Sequence, residues 1–144
     1  MTLRFLEEHI VLVPLEPRRP GCSVVEGKDI TKSKVKALAD AAERCWNAII
    51  SKNLEDFARS YADSFNAQVA MFPAMVNPVI KGNACPEASV QPYIDEYSSM
   101  DDVLALKLAG AGGGGYLAPV VKDSGVFCKV HQEAIPISIR RAGK

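Results

Sequence analysis

Val103-Leu104-Ala105-Leu106-Lys107-Leu108-Ala109-Gly110-Ala111-Gly112-Gly113-Gly114-Gly115-Tyr116-Leu117-Ala118-Pro119-Val120-Val121 decides the fold. One apolar run enters a stretch almost without side chains and a second apolar run leaves it. This pattern predicts two adjacent strands joined by bare backbone. Glycine loses more backbone freedom on folding than any other residue, so the unbroken run Gly112 to Gly115 carries a cost. Two needs account for it: a dihedral that only glycine reaches, or a partner that approaches the main chain closely. Successive N–H groups in such a loop also form a concave nest for anions, phosphates above all. A flexible hairpin tip is the plain alternative. A linker, however, is normally flanked by polar residues, and this loop is set into the most strand-like part of the chain.

Upstream, Pro92 suits the first turn of a short helix carrying Tyr93, Ile94, Tyr97 and Met100. Residues 73–91 resist a regular reading because Pro73, Pro78, Pro86 and Gly82 interrupt every period. Asn53 caps a helix with Glu55 and Asp56 in its first turn and Leu54, Phe57, Ala58, Tyr61, Phe65, Val69 and Phe72 as its stripe. Asn66, Gln68 and Asp63 fall off that stripe and are expected in solvent. Before it, Asp29 or Thr31 caps a helix starting near Lys32, with Val35, Leu38, Ala39, Ala42, Cys45, Trp46, Ile49 and Ile50 at helical spacing. Trp46 is expected in the core. The short link at Lys52-Asn53 predicts an antiparallel helical hairpin. Residues 9–15 are β-branched and apolar and read as a strand, followed by a Pro/Gly loop holding Arg18 and Arg19. Downstream, Asp123-Ser124-Gly125 is a turn signal, and residues 126–130 and 135–139 read as further strands or as a strand and its connection, the last on an edge because of Pro136. The sum is an α+β layer structure: a mostly antiparallel sheet with helices packed on one face, in a single domain over residues 1–144.

Composition narrows the function classes. Lys and Arg number 17 and Asp and Glu 17, so no global charge favours nucleic acid or an acidic membrane. Cys22, Cys45, Cys85 and Cys128 are far apart with no Cys-x-x-Cys pair, which argues against a zinc site. No run reaches the ~18 apolar residues of a membrane span, and residues 1–8 lack the apolar centre of a signal peptide. A cytoplasmic protein with free thiols is the simplest expectation. His9 and His131 have no evident Ser or Cys partner, and Asp101-Asp102 reads as a polar loop more readily than as a Mg²⁺ site. No self-sufficient catalytic group and no metal site is assigned.

The glycine run is not a phosphate loop of the G-x-x-x-x-G-K-(S/T) kind, because Tyr116-Leu117 follows Gly115. It is not a dinucleotide fingerprint either, because a strand follows where a helix is required. Lys107 is a candidate point charge for a phosphate, or an ordinary strand-edge or solvent-facing lysine.

Leu106-Lys107-Leu108-Ala109-Gly110-Ala111-Gly112-Gly113-Gly114-Gly115-Tyr116-Leu117 resembles the third signature of the GHMP small-molecule kinases, the superfamily of galactokinase, homoserine kinase, mevalonate kinase and phosphomevalonate kinase. The pattern there is K-L-(T/S)-G-A-G-G-G-G followed by an aromatic or apolar residue. Residues from about Leu12 to Arg141 look like the C-terminal domain of such an enzyme, nearest the sugar kinases, with Ile137-Ser138-Ile139-Arg140-Arg141 similar to their final strand. The resemblance implies a ferredoxin-like fold. It implies that Gly110, Ala111, Gly112, Gly113, Gly114 and Gly115 support the ATP phosphates in a cleft shared with an N-terminal domain. ATP and Mg²⁺ would serve the complete enzyme, and a sugar hydroxyl would receive the γ-phosphoryl. Ala109 stands where the family has Thr or Ser, so that hydroxyl is missing. The P-x-x-x-G-L-(G/S)-S-S-A-A loop, which supplies most triphosphate contacts, has no counterpart in these residues, and neither does the N-terminal substrate motif. The resemblance therefore implies that this chain is inactive alone and needs that N-terminal domain, in cis or in trans. A stand-alone ferredoxin-like module that binds a ligand or self-associates is the alternative.

Overall fold

The computed structural model describes residues 2–16, 21–109 and 115–139. Its main sheet has four strands, β1 (Val11–Pro14), β4 (Val103–Ala109), β5 (Tyr116–Val121) and β6 (Ile135–Pro136), in the order β4-β5-β1-β6. Every neighbouring pair is antiparallel. It follows that β1 and β4 run parallel with β5 between them, and β5 and β6 run parallel with β1 between them. Parallel strands need a crossover connection. The chain makes two, which gives the interleaved split βαβ arrangement of a ferredoxin-like α+β fold. A second, two-stranded sheet pairs β2 (Val79–Ile80) with β3 (Asn83–Ala84).

The first crossover contains the helical hairpin. The helix α2 (Lys32–Ser51) starts at Thr31, whose hydroxyl accepts from Lys34 N at 3.2 Å, and stops at Lys52 in the left-handed conformation, φ 56°. The helix α3 (Leu54–Met71) starts at Asn53, whose side chain accepts from Asp56 N at 3.0 Å. Both caps are those expected from the sequence. The short helix α4 (Gln91–Ser98), with Pro92 in its first turn, then leads into β4.

The second crossover corrects one expectation. Residues 126–130 are not a strand: they lie in the helix α5 (Ser124–Val130). Asp123 caps it, accepting from Val126 N at 2.9 Å, so the expected turn is a helix start. Phe127 is buried, while Val126 and Val130 are 56% and 65% exposed. The topology overrides the β-propensity of Val-Phe-Cys-Lys-Val, because β5 reaches β6 only by crossing β1. The last strand is shorter than the expected 135–139, with ladder partners only at Leu12 to Ile135 and Val11 to Pro136. The first is shorter too, because His9 ends a helix, α1 (Thr2–His9), that the sequence reading did not contain.

Alternation along the strands separates two apolar layers. Val11, Val13, Leu106, Leu108, Leu117 and Val121 meet Phe65, Met75, Val76, Tyr97 of α4 and Phe127 of α5. On the opposite face Ala105 and Val120 meet Phe5 of α1, Ala48 of α2, and Phe57 and Ala58 of α3. Helices thus cover the face expected from the sequence and the other face as well, and residues 117 to 121 of β5 are buried without interruption.

Trp46 is not in the core: it is 62% exposed. The buried residues of α2 are Ala41 and Ala48, which bring its backbone close to its neighbours. Val35, Trp46 and Ile50 lie on a different stripe, turned to solvent. The wide run of apolar residues seen in the sequence is two stripes, of which one is packed.

Candidate functional site

Three strands converge on one end of the sheet. The last pair of β4 and β5 is Ala109 with Tyr116, so Gly110 to Gly115 connect an edge strand to its neighbour. Gly110, Ala111, Gly112, Gly113 and Gly114 lie outside the described residues. Gly115 is described: its φ is +85°, in the left-handed region where a side chain is strained, so one of the two needs for glycine is met here. Its carbonyl accepts from Leu15 N at 2.7 Å. That bond ties the glycine connection to the chain leaving β1, where Pro14 already pairs with Tyr116. Leu15 and Glu16 lead into residues 17–20, so Arg18 and Arg19 follow in sequence from the same sheet end. Both lie outside the described residues.

The helix α3 runs toward this end. Phe57 packs with Ala105 and Val120, and one turn on the Tyr61 hydroxyl donates to the Ala118 carbonyl at 2.9 Å. A further turn brings Ser64 to Lys107, whose Nζ donates to Ser64 Oγ at 2.8 Å and stands 5.8 Å from the centre of the Tyr61 ring. Lys107 is therefore a half-buried lysine of the edge strand β4, held by α3 and not turned freely to solvent. Burial lowers its pKa, and the nearby Cys45 thiol opposes that shift. Burial raises the Tyr61 hydroxyl and the Cys45 thiol, and Ser60 and Lys107 partly offset the rise at Cys45. Burial thus disfavours the charged form of all three groups.

Gln68 lies one turn beyond Ser64 on α3, toward the same end. Its Oε1 is buried and has no hydrogen-bond partner. A buried acceptor left unpaired is costly, which makes it the described side chain best placed to take a donor at this end of the sheet. It had been expected in solvent with Asn66; only Asn66 is exposed.

The other candidate side chains are committed elsewhere. The ring Nδ1 of His9 lies 3.1 Å from the Val121 carbonyl, and the ring packs on Phe5. His131 stacks on Phe127 at 4.4 Å and approaches Glu133 at 3.8 Å. Tyr97 donates to Glu133, which holds that carboxyl below the usual range. Asp63 pairs with Arg44 at 3.0 Å. Among the described residues no group of three or more His, Cys, Asp and Glu is gathered to hold a metal. No helix among them is long and apolar enough to cross a membrane.

Sequence reasoning located the connection and its flanking strands. It missed the Ser64–Lys107–Tyr61 cluster, whose only signal was a lysine inside an apolar strand opposite two hydroxyl residues spaced along one helix face. No family model matches the chain, and no curated protein matches it.

Proposed function

We propose that this chain is the C-terminal half of a GHMP-type sugar kinase. In this reading it contributes its glycine connection to ATP-dependent phosphoryl transfer onto a sugar hydroxyl. One observation carries the reading: the Lys107-Leu108-Ala109-Gly110-Ala111-Gly112-Gly113-Gly114-Gly115 run joins antiparallel neighbours β4 and β5 of a ferredoxin-like sheet, beside the exit of β1 toward Arg18-Arg19. Phosphoryl transfer needs positioning and charge stabilisation more than covalent chemistry, so a wall of backbone N–H groups is a sufficient contribution. Gly110, Gly112, Gly113, Gly114 and Gly115 would line the phosphate side of the cleft. Lys107, fixed by Ser64, would add positive potential from below. On this reading the remaining triphosphate contacts would come from the other half.

The test joins this chain, by fusion or in trans, to a GHMP N-terminal domain carrying the Ser-rich loop. A panel of sugars is then assayed for ATP-dependent phosphorylation. Activity that requires both halves and disappears in Gly113→Val is expected. Turnover by this chain alone, or undiminished activity in the variant, would refute the reading.

A second reading has its own support. The outward stripe of α2, with Val35 48%, Trp46 62% and Ile50 52% exposed, suits a stand-alone module that self-associates without catalysis. Sedimentation separates the two: a monomer at high concentration removes the second.

A further inference from the structure

The outward face of α2 is complementary to itself when two copies run antiparallel. Helical spacing puts Val35, Ala39, Ala42, Trp46 and Ile50 on one stripe, and all of them are exposed. The helix packs onto the rest of the molecule through its other side, where Ala41 and Ala48 are buried and Leu38, Cys45 and Ile49 are half-buried. One border of the stripe carries Lys32, Lys36, Glu43 and Asn47, also exposed. Lys36 bridges Asp40 on its own helix at 2.9 Å. Glu43 makes no ion pair among the described residues.

We propose that this chain pairs with a second copy of itself through α2, antiparallel, about a two-fold axis level with the Asp40–Ala41 peptide bond. In such a contact, residue i meets residue j and j meets i. Ala39 then meets the partner's Ala42, and Val35 meets the partner's Trp46. The two alanine layers straddle the axis, where small side chains let the helices approach closely. The Val35–Trp46 layers close the contact on either side. Lys32, one layer further out, opposes the partner's Ile49, where its stem packs and its amine reaches water.

The same register sets Lys36 beside the partner's Glu43, twice in each dimer. A parallel pairing in register would set Lys36 level with Lys36 and Glu43 level with Glu43. Charge complementarity therefore selects a second copy of this helix, running the other way, as the occupant of the stripe. The proposal rests on the self-association reading and not on phosphoryl transfer. The helix has 20 residues, about 30 Å, and offers one stripe, so the dimer belongs to the weak class, with a Kd on the order of 10–100 μM.

Sedimentation equilibrium of the full chain over a concentration series measures the dimer, and circular dichroism checks the fold of each variant. The wild type is expected to dimerise and Trp46→Ser to stay monomeric. Lys36→Glu and Glu43→Lys should each weaken the dimer roughly tenfold, because each dimer holds two of these exposed pairs. An equal mixture of the two single variants should recover wild-type affinity, since both contacts are then between opposite charges. The double variant Lys36→Glu/Glu43→Lys should recover it as well. A dimer that survives Trp46→Ser, unchanged affinity in the single charge variants, or no recovery on mixing would overturn this pairing and leave self-association standing. A wild-type monomer throughout the series would remove self-association itself, and this pairing with it.

Discussion

Ser64→Ala should destabilise the fold more than Lys107→Met, although both remove the same hydrogen bond. The difference lies in what each variant leaves behind. Lys107 Nζ is half-buried, donates to Ser64 Oγ at 2.8 Å and faces the Tyr61 ring. Without Ser64 the amine keeps its desolvation and loses its acceptor, a loss of about 1–2 kcal/mol once its partial exposure is allowed for. In Lys107→Met the side-chain stem still packs on Tyr61 and no charge is left to solvate. The freed Ser64 hydroxyl turns to a carbonyl one helical turn back. Ser60 does so already, donating to the Asp56 carbonyl at 2.8 Å. The net cost should be within about 0.5 kcal/mol of zero, and the double variant should match Lys107→Met. Urea unfolding followed by circular dichroism at pH 7 measures all three. A pH series supplies the sign. The folded-state pKa of Lys107 lies below its ordinary value of 10.5, so the unfolded chain binds more protons between the two values. Relative to Lys107→Met, the wild type should therefore gain stability as pH rises toward 10.5 and lose that gain as pH falls through the folded-state value. Equal costs for the two single variants, or a more costly Lys107→Met, would refute the reasoning.

Three further predictions rest on other parts of the molecule. Trp46 is the only tryptophan, so its fluorescence should be that of a solvated indole, open to acrylamide, with a blue shift at high concentration if the α2 stripe pairs between molecules. Phe127→Ala should cost about 3–5 kcal/mol by denaturant unfolding, whereas Val130→Ala should stay within about 0.5; comparable costs would restore the strand reading of 126–130. Glu133 has a depressed pKa, so its contact with Tyr97 stabilises the fold above the ordinary carboxyl value and fades as pH falls through the lower one. Glu133→Gln should remove that acid-side dependence in a pH series of melting midpoints.

The parts of the fold legible in the sequence are those fixed by local chemistry. Thr31 and Asn53 cap helices where their side chains and the following turns require it, and Pro92 sits in a first turn. The flanks of the glycine connection are strands for the same local reason. What escaped was decided by topology. Val126 to Val130 favours a strand, but the return from β5 past β1 to β6 needs a helix. Trp46 has a core composition, but Ala41 and Ala48 make the close approach in α2. At the candidate site, the glycines were visible as a run of unusual composition. The partners that hold their surroundings, Leu15 and Ser64, come from distant elements and leave no local pattern.

Amide chemical-shift mapping of the isotope-labelled chain with Mg²⁺-ATP, and with tripolyphosphate, tests the central claim most directly. A half-site without its partner should bind weakly, with a Kd on the order of millimolar. The account predicts shifts concentrated at residues 110–116, at Leu15 and at the Gln68 side chain, and their loss in Gly113→Val. No shift at these residues, or shifts centred instead on the polar cleft of Arg44, Asn47 and Arg59 between α2 and α3, would contradict it.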